Sequence, residues 1–182
     1  MRSPLICCLW ILCLFFSAER CLGIVPQSLP RARVERIVDG DTLRVHFAGK
    51  SLLVRMIGID TPERVENDKA RRDARRSNQS IGTILTLGEK ASQHLASIVP
   101  IGSELHVEMD VEHHDRYGRL LAYLYTPAGA LLNESMLRDG YAQLMTIPPN
   151  LRHLSRLQQA QSDARINRRG LWADEEGAVL LR

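Results

Sequence analysis

The sequence predicts an α+β chain that is mainly β, with five short strands closing a small, partly open barrel and three helices around it. Three observations predict it. Apolar and polar residues alternate in short runs between Val34 and Tyr125, the period of half-buried strands. Turns containing glycine or proline separate those runs. Helical spacing of apolar residues is confined to a few stretches, and no segment repeats.

Each element has its own signal. Val34, Arg36 and Val38 alternate with Glu35, Ile37 and Asp39, and Leu43, Val45 and Phe47 alternate with Arg44 and His46, giving two strands. Ala48-Gly49-Lys50 supplies a hairpin turn. Leu52 to Ile59 is a third, more apolar strand, which Pro62 ends while biasing Thr61 to an extended backbone. Residues 64–80 are strongly polar and read as a solvated loop, in part helical, or as a basic loop that grips a ligand. Glu89 to Val99 reads as a helix with Ala91, Leu95, Ile98 and Val99 on one side, stopped by Pro100 and Gly102. Glu104 to Glu112 alternates again, Leu120 to Tyr125 is a fifth strand, and Pro127-Ala128-Gly129 is a turn. Asn133 is placed to cap a short helix, Glu134 to Arg138, with Gly140 past its end. Leu151, Leu154, Leu157, Ala160 and Ala164 mark a last helix within 151–169; Gly170 ends it and Leu171-Trp172 folds back as a hydrophobic plug. The strands are expected to be antiparallel.

A chain of 182 residues with 45% hydrophobic content supports one core. The domain is expected over 33–174, after a linker at 22–32 and before a tail at 175–182. A net charge of +3 permits a polyanionic partner without requiring one. Residues 1–21 read as a secretory signal peptide, because Arg2 is followed by the apolar run 4–18; a retained membrane anchor over 4–18 is the alternative. All four cysteines (Cys7, Cys8, Cys13, Cys21) lie in this leader, so the body has neither a disulfide framework nor a thiolate metal site.

Chemistry concentrates in two places. Asp41, in Asp39-Gly40-Asp41-Thr42, and Asp60, in Ile57-Gly-Ile-Asp-Thr-Pro-Glu63, both stand where an apolar strand meets a turn. Carboxylates there suit a hard cation that wants oxygen ligands; the plainer reading of each is a turn-forming aspartate. Arg55 lies inside an apolar run and must face outward, be paired, or meet an anion. Glu63, held near Asp60 by the stiff Pro62 turn, is a candidate to accept a proton from an attacking water or to orient that water. Downstream, Asp115-Arg116-Tyr117-Gly118-Arg119 is a tight turn that can deliver Arg119 to a phosphate, with Arg116 and Tyr117 beside it as substrate contacts and Asp115 to orient a neighbour. His113 and His114 are adjacent on an expected strand, so they face opposite ways and make no metal pair.

Taken together these residues resemble the staphylococcal nuclease (thermonuclease) family. The resemblance runs from about Val34 to Trp172, through Val38-Asp-Gly-Asp-Thr-Leu43, Val54-Arg-Met-Ile-Gly-Ile-Asp-Thr-Pro-Glu63, Gly88-Glu-Lys-Ala-Ser92, Asp115-Arg-Tyr-Gly-Arg119, Leu132-Asn-Glu-Ser-Met-Leu-Arg-Asp-Gly140 and Gly170-Leu-Trp172. It implies a barrel of the oligonucleotide-binding (OB) type and Ca²⁺-dependent hydrolysis of DNA and RNA to 3′-phosphate products; the leader adds the expectation of a secreted or periplasmic protein, and a monomer is expected. On the matching positions it implies Asp41, Asp60 and the Thr61 carbonyl as Ca²⁺ ligands, Arg55 and Arg119 on the phosphate, and Glu63 on the water. Two departures stand out. The polar segment after Glu63 is longer than in the best-known members, and Gln143-Leu-Met-Thr-Ile-Pro-Pro149 lacks the family's aromatic pair, which implies weaker base stacking with Tyr117 remaining.

The rival is a non-catalytic nucleic-acid-binding or protein-binding module on the same barrel. Loss of one or more of Asp41, Arg55, Asp60, Glu63 and Arg119 would mark it, and all five are present. A binding protein tethered at a membrane by its leader is a third reading, and predicts activity independent of Glu63.

Overall fold

The computed structural model describes residues 28–181; the leader and most of the linker lie outside the described residues. Five strands close a barrel in the order β1-β2-β3-β6-β5: β1 (Arg31–Asp39), β2 (Thr42–Phe47), β3 (Lys50–Met56), β5 (Glu104–Glu108) and β6 (Leu120–Tyr125). A two-stranded ladder pairs β4 (Ile59–Asp60) with β7 (Gln143–Leu144). Alternation built the barrel as expected: Leu43, Val45, Val54, Leu105, Val107, Ala122 and Leu124 all point into one apolar core. Ala48 and Gly49 both take positive φ in the two-residue turn that pairs Phe47 with Lys50, the turn whose twist matches a hairpin.

One expectation about the sheet fails. The strands are not all antiparallel: β3 and β6 run parallel, with Arg55 opposite Leu121, and this pairing helps to close the barrel. The two strands are joined through two helices and β5, so the connection has the length a parallel pair needs. β5 also ends at Glu108, short of the expected Glu112.

The helices are longer and more numerous than periodicity suggested. The three expected ones are present as α2 (Ile81–Ile98), α3 (Leu132–Arg138) and α4 (Leu154–Ile166). α2 begins eight residues before Glu89, because Ser80 accepts a hydrogen bond from the Thr83 amide and caps it. The 64–80 segment is largely a helix, α1 (Asp68–Ser77), capped by Asn67, whose side chain accepts from the Ala70 amide. Its apolar contribution is two alanines, Ala70 and Ala74, set against α2, too little to show as a period. Asn133 does not cap α3, which starts a residue before it; the amide is fully buried and joins the barrel instead. Beyond a 3₁₀ turn at Gly170–Trp172, the residues expected as a tail form α5 (Glu175–Leu180). Ala70, Ile84, Leu87, Ala164, Leu171, Trp172, Leu180 and Leu181 make a second, smaller core that fixes α1 and α5 beside the barrel. Among the described residues no helix is long and apolar enough to cross a membrane.

Candidate active site

The β1–β2 turn and the β3–β4 corner meet at one end of the barrel. Asp41, at the tip of the first turn, is drawn in because its carbonyl accepts from the Met56 amide. Its carboxylate accepts from Thr42 Oγ1 at 2.8 Å, and from the Thr61 amide and hydroxyl at 3.0 and 3.2 Å. Gly58, with φ at +80°, makes the corner after β3 and brings Ile59, Asp60 and Thr61 back across the mouth. Asp41, Asp60 and Thr61 are all buried.

Two cations hold these acids together. Arg55 Nη2 lies 3.2 Å from both Asp41 Oδ2 and Asp60 Oδ1. Its Nη1 donates to the carbonyls of Met56 and Ile59. The arginine inside the apolar strand is therefore paired rather than facing solvent, which resolves the three choices its position offered. Lys69, in the first turn of α1, donates to the Thr61 carbonyl at 2.9 Å and stands 3.2 Å from Asp60 Oδ2 and 3.5 Å from Glu63 Oε1. It also reaches Asp73 Oδ2 at 3.1 Å. Burial alone would lower the Lys69 ammonium, but Asp60, Asp73 and Glu63 carry it above its ordinary value.

Glu63 is oriented by Asn67, whose amide donates to Oε2 at 2.7 Å. Its backbone rests on α2 at Gly88, where a Cβ would stand 2.6 Å from the Arg64 amide nitrogen and closer still to the Glu63 carbonyl. Gly40 sits against Ala91 of the same helix, one turn further on. The small-residue face of α2 is what lets both acid-bearing turns approach. Burial, Glu63 and Asp41 push the Asp39 carboxyl up to about 7. Burial raises Asp60 as well, against the pull of Lys69 and Arg55; Gln143 donates to its Oδ2 at 3.1 Å.

Arg119 enters from the turn that leads into β6, the strand beside β3. Leu121 lies opposite Arg55, and Arg119 stands two residues before it, directly ahead of β6. Asp115 accepts from the Tyr117 and Arg119 amides and from Arg119 Nε at 2.7 Å, which leaves the Arg119 Nη groups without a partner among the described residues. Burial would raise the Asp115 carboxyl; the hydrogen bonds and charge of Arg119 outweigh it and hold the group below its ordinary value. Tyr117 is two-thirds exposed, with the Arg116 and Arg119 guanidinium carbons 4.8 and 5.6 Å from its ring centre. Arg116 Nη2 donates to its hydroxyl.

Sequence reasoning thus reached Asp41, Arg55, Asp60, Thr61 and Glu63, which the fold gathers, and the Arg116–Arg119 turn on the adjacent strand. It missed Lys69, Asn67 and Gln143. Asn67 had a readable signal, a capping residue before a helix. Lys69 and Gln143 had none, since their roles depend on how α1 and β7 are docked. For a metal, the donors on offer would be the Asp41 and Asp60 carboxylates and the Thr61 carbonyl, with Glu63 adjacent. Oxygens from Asp60, Thr61 and Glu63 already converge on one positive atom, Lys69 Nζ, which fits a hard divalent ion. Among the described residues no three His, Cys, Asp or Glu side chains form a cage by themselves, so water would complete the coordination.

Comparison with known proteins bears on this arrangement. The family model described as staphylococcal nuclease homologue matches residues 53–174. A thermonuclease of Staphylococcus hyicus is 31% identical over 146 residues, 78% of this chain and 75% of that protein. A thermonuclease of Staphylococcus intermedius is 29% identical over 143 residues, 76% of this chain and 74% of that protein. The endonuclease YncB of Bacillus subtilis (strain 168) is 29% identical over 149 residues, 81% of this chain and 64% of that protein.

Proposed function

Because the chain belongs to the staphylococcal nuclease family, we propose that it hydrolyses phosphodiester bonds of DNA and RNA, with Ca²⁺ as its cofactor and 3′-phosphates as products. The observation that carries this reading is the gathering of Asp41, Asp60, the Thr61 carbonyl, Glu63 and Arg55 at one mouth of the barrel, with Arg119 in the turn that leads into β6, the strand beside β3.

In this reading Asp41, Asp60 and the Thr61 carbonyl would hold the ion, which when bound would offset the charge of the phosphate oxygens. Glu63, fixed by Asn67, takes a proton from water as its oxygen attacks phosphorus. The new P–O bond forms as the bond to the 5′ oxygen breaks, and that oxygen takes a proton from solvent water and leaves as a hydroxyl. Arg55 is anchored through Nη1, and its Nη2, at the edge of the acid cluster, would meet a phosphate oxygen there. Arg119 offers its two Nη groups to the same charge. Tyr117 and Arg116, both exposed, form a platform for the adjoining nucleotide. We further propose that the leader directs export, and that the protein acts as a monomer.

Cleavage of single-stranded DNA, with Ca²⁺ and with a chelator, tests the reading beside Glu63→Gln. Expected is calcium-dependent cleavage that falls by about 10²- to 10⁴-fold in the variant, the range a positioned proton acceptor supplies, with oligonucleotide binding retained. Binding without cleavage by the unaltered protein would instead assign a nucleic-acid-binding module.

A further inference from the structure

We propose that Lys69 is a resident cation of the acidic site, occupying the oxygen set that a divalent ion needs, and that it thereby sets how much calcium the protein requires. The inference rests on the metal reading above and extends it to a residue outside the ligand set.

Four oxygens surround the ammonium, and three of them belong to Asp60, Thr61 and Glu63. The Thr61 carbonyl is the shortest contact, at 2.9 Å. An ion bound to that carbonyl and to Asp60 cannot share the position with Nζ, since two positive centres would use the same lone pairs. The fourth oxygen, Asp73 Oδ2 at 3.1 Å, belongs to α1 itself, one turn beyond Lys69. It gives the displaced ammonium a partner without leaving the helix. α1 is not a loose arm: Asn67 caps it, and Ala70 is fully buried in the second core. The backbone of Lys69 is therefore fixed, and only its four-carbon stem has to move. The same contact offsets part of the carboxylate charge when no metal is bound, because Arg55 and Lys69 set two positive charges against the three carboxylates of Asp41, Asp60 and Glu63.

Two measurements test it. Calorimetric titration of Ca²⁺ into the wild-type protein and Lys69→Gln, without nucleic acid, should show tighter binding by the variant, by about tenfold or more, within the usual range for coupled sites. Equal or weaker binding by the variant, with the wild type binding, overturns the inference and leaves the metal reading intact. Absence of Ca²⁺ binding by both overturns the two together. The second measurement uses the wild type alone, so a folding defect in the variant cannot obscure the result. The sequence has three lysines, Lys50, Lys69 and Lys90. Acylation followed by peptide mass spectrometry should show Lys69 labelling rise several-fold on adding Ca²⁺, with Lys50 unchanged. Lys69 labelling that stays constant at saturating Ca²⁺ overturns the inference.

Discussion

Asp115 uses each carboxylate oxygen for a different task. Oδ1 accepts the Tyr117 and Arg119 amides and shapes the turn, whereas Oδ2 takes Arg119 Nε and aims the guanidinium. Asp115→Asn separates the two: an amide oxygen can keep the turn, but its NH₂ would face Nε donor to donor. Steady-state cleavage should fall by about tenfold, below the roughly 10²- to 10³-fold typical for deleting a charge-stabilising donor, because Arg119 remains present but unaimed. Because the folded carboxyl sits below its unfolded value, its stabilisation is complete above the unfolded pKa and is lost as pH falls through the folded one. Thermal melts should therefore separate wild type from variant at neutral pH and bring them together in acid. The aspartate's place in the Asp115–Arg119 turn was legible from sequence, and so was an orienting role; that the group oriented is Arg119 needed the fold.

At the scale of elements, α2 decides whether the two acid-bearing turns can meet. Gly88→Ala sets two effects against each other. Alanine favours the helix by up to about 1 kcal/mol, while the added methyl meets the backbone of Glu63 and Arg64, where overpacking costs about 1–3 kcal/mol. The backbone cannot turn aside as a side chain would, so the clash should win: a lower Tm and a lower kcat, both measurable on one preparation. α3 contributes through Asn133, which accepts from the Leu124 amide and donates to the Ile57 carbonyl. Asn133→Leu leaves both groups buried without partners. Urea unfolding should show a loss of about 3 kcal/mol, the sum of two such deficits of roughly 1–3 kcal/mol each. The strands were readable because alternation survives in a single sequence, and α4 because its leucines and alanines keep helical spacing. α1 was not, because its stability comes from caps and from a core assembled out of distant segments. Asn133 misled for a related reason: capping residues and buried polar struts are the same residue types, and only burial distinguishes them.

Across the whole molecule, the second core ties the chain's end to its active site. Leu171, Trp172, Leu180 and Leu181 pack with Ala70 and Ile84, so α1 and the lysine it carries depend on residues a hundred positions downstream. Truncation after Arg169 should leave the barrel folded and release α1. Hydrogen exchange would show amides of 68–77 losing protection while β2 and β3 keep theirs, since local unfolding follows the units that share a core.

The parallel pairing of β3 with β6 has a consequence for the order in which the protein comes into being. Strands β1, β2 and β3 are joined by short turns and can form as a meander, bringing Asp41 and Arg55 with them; β6 must then be carried back across α1, α2 and β5. Such distant pairings cost loop entropy before they are rewarded, and so form late. Synthesis runs the same way, because Glu63 leaves the ribosome long before Arg119. A nascent or half-folded chain thus holds the acids without the second arginine, and the seam that completes the barrel also brings in the arginine proposed to bind phosphate. The proposed site is complete only when the barrel is.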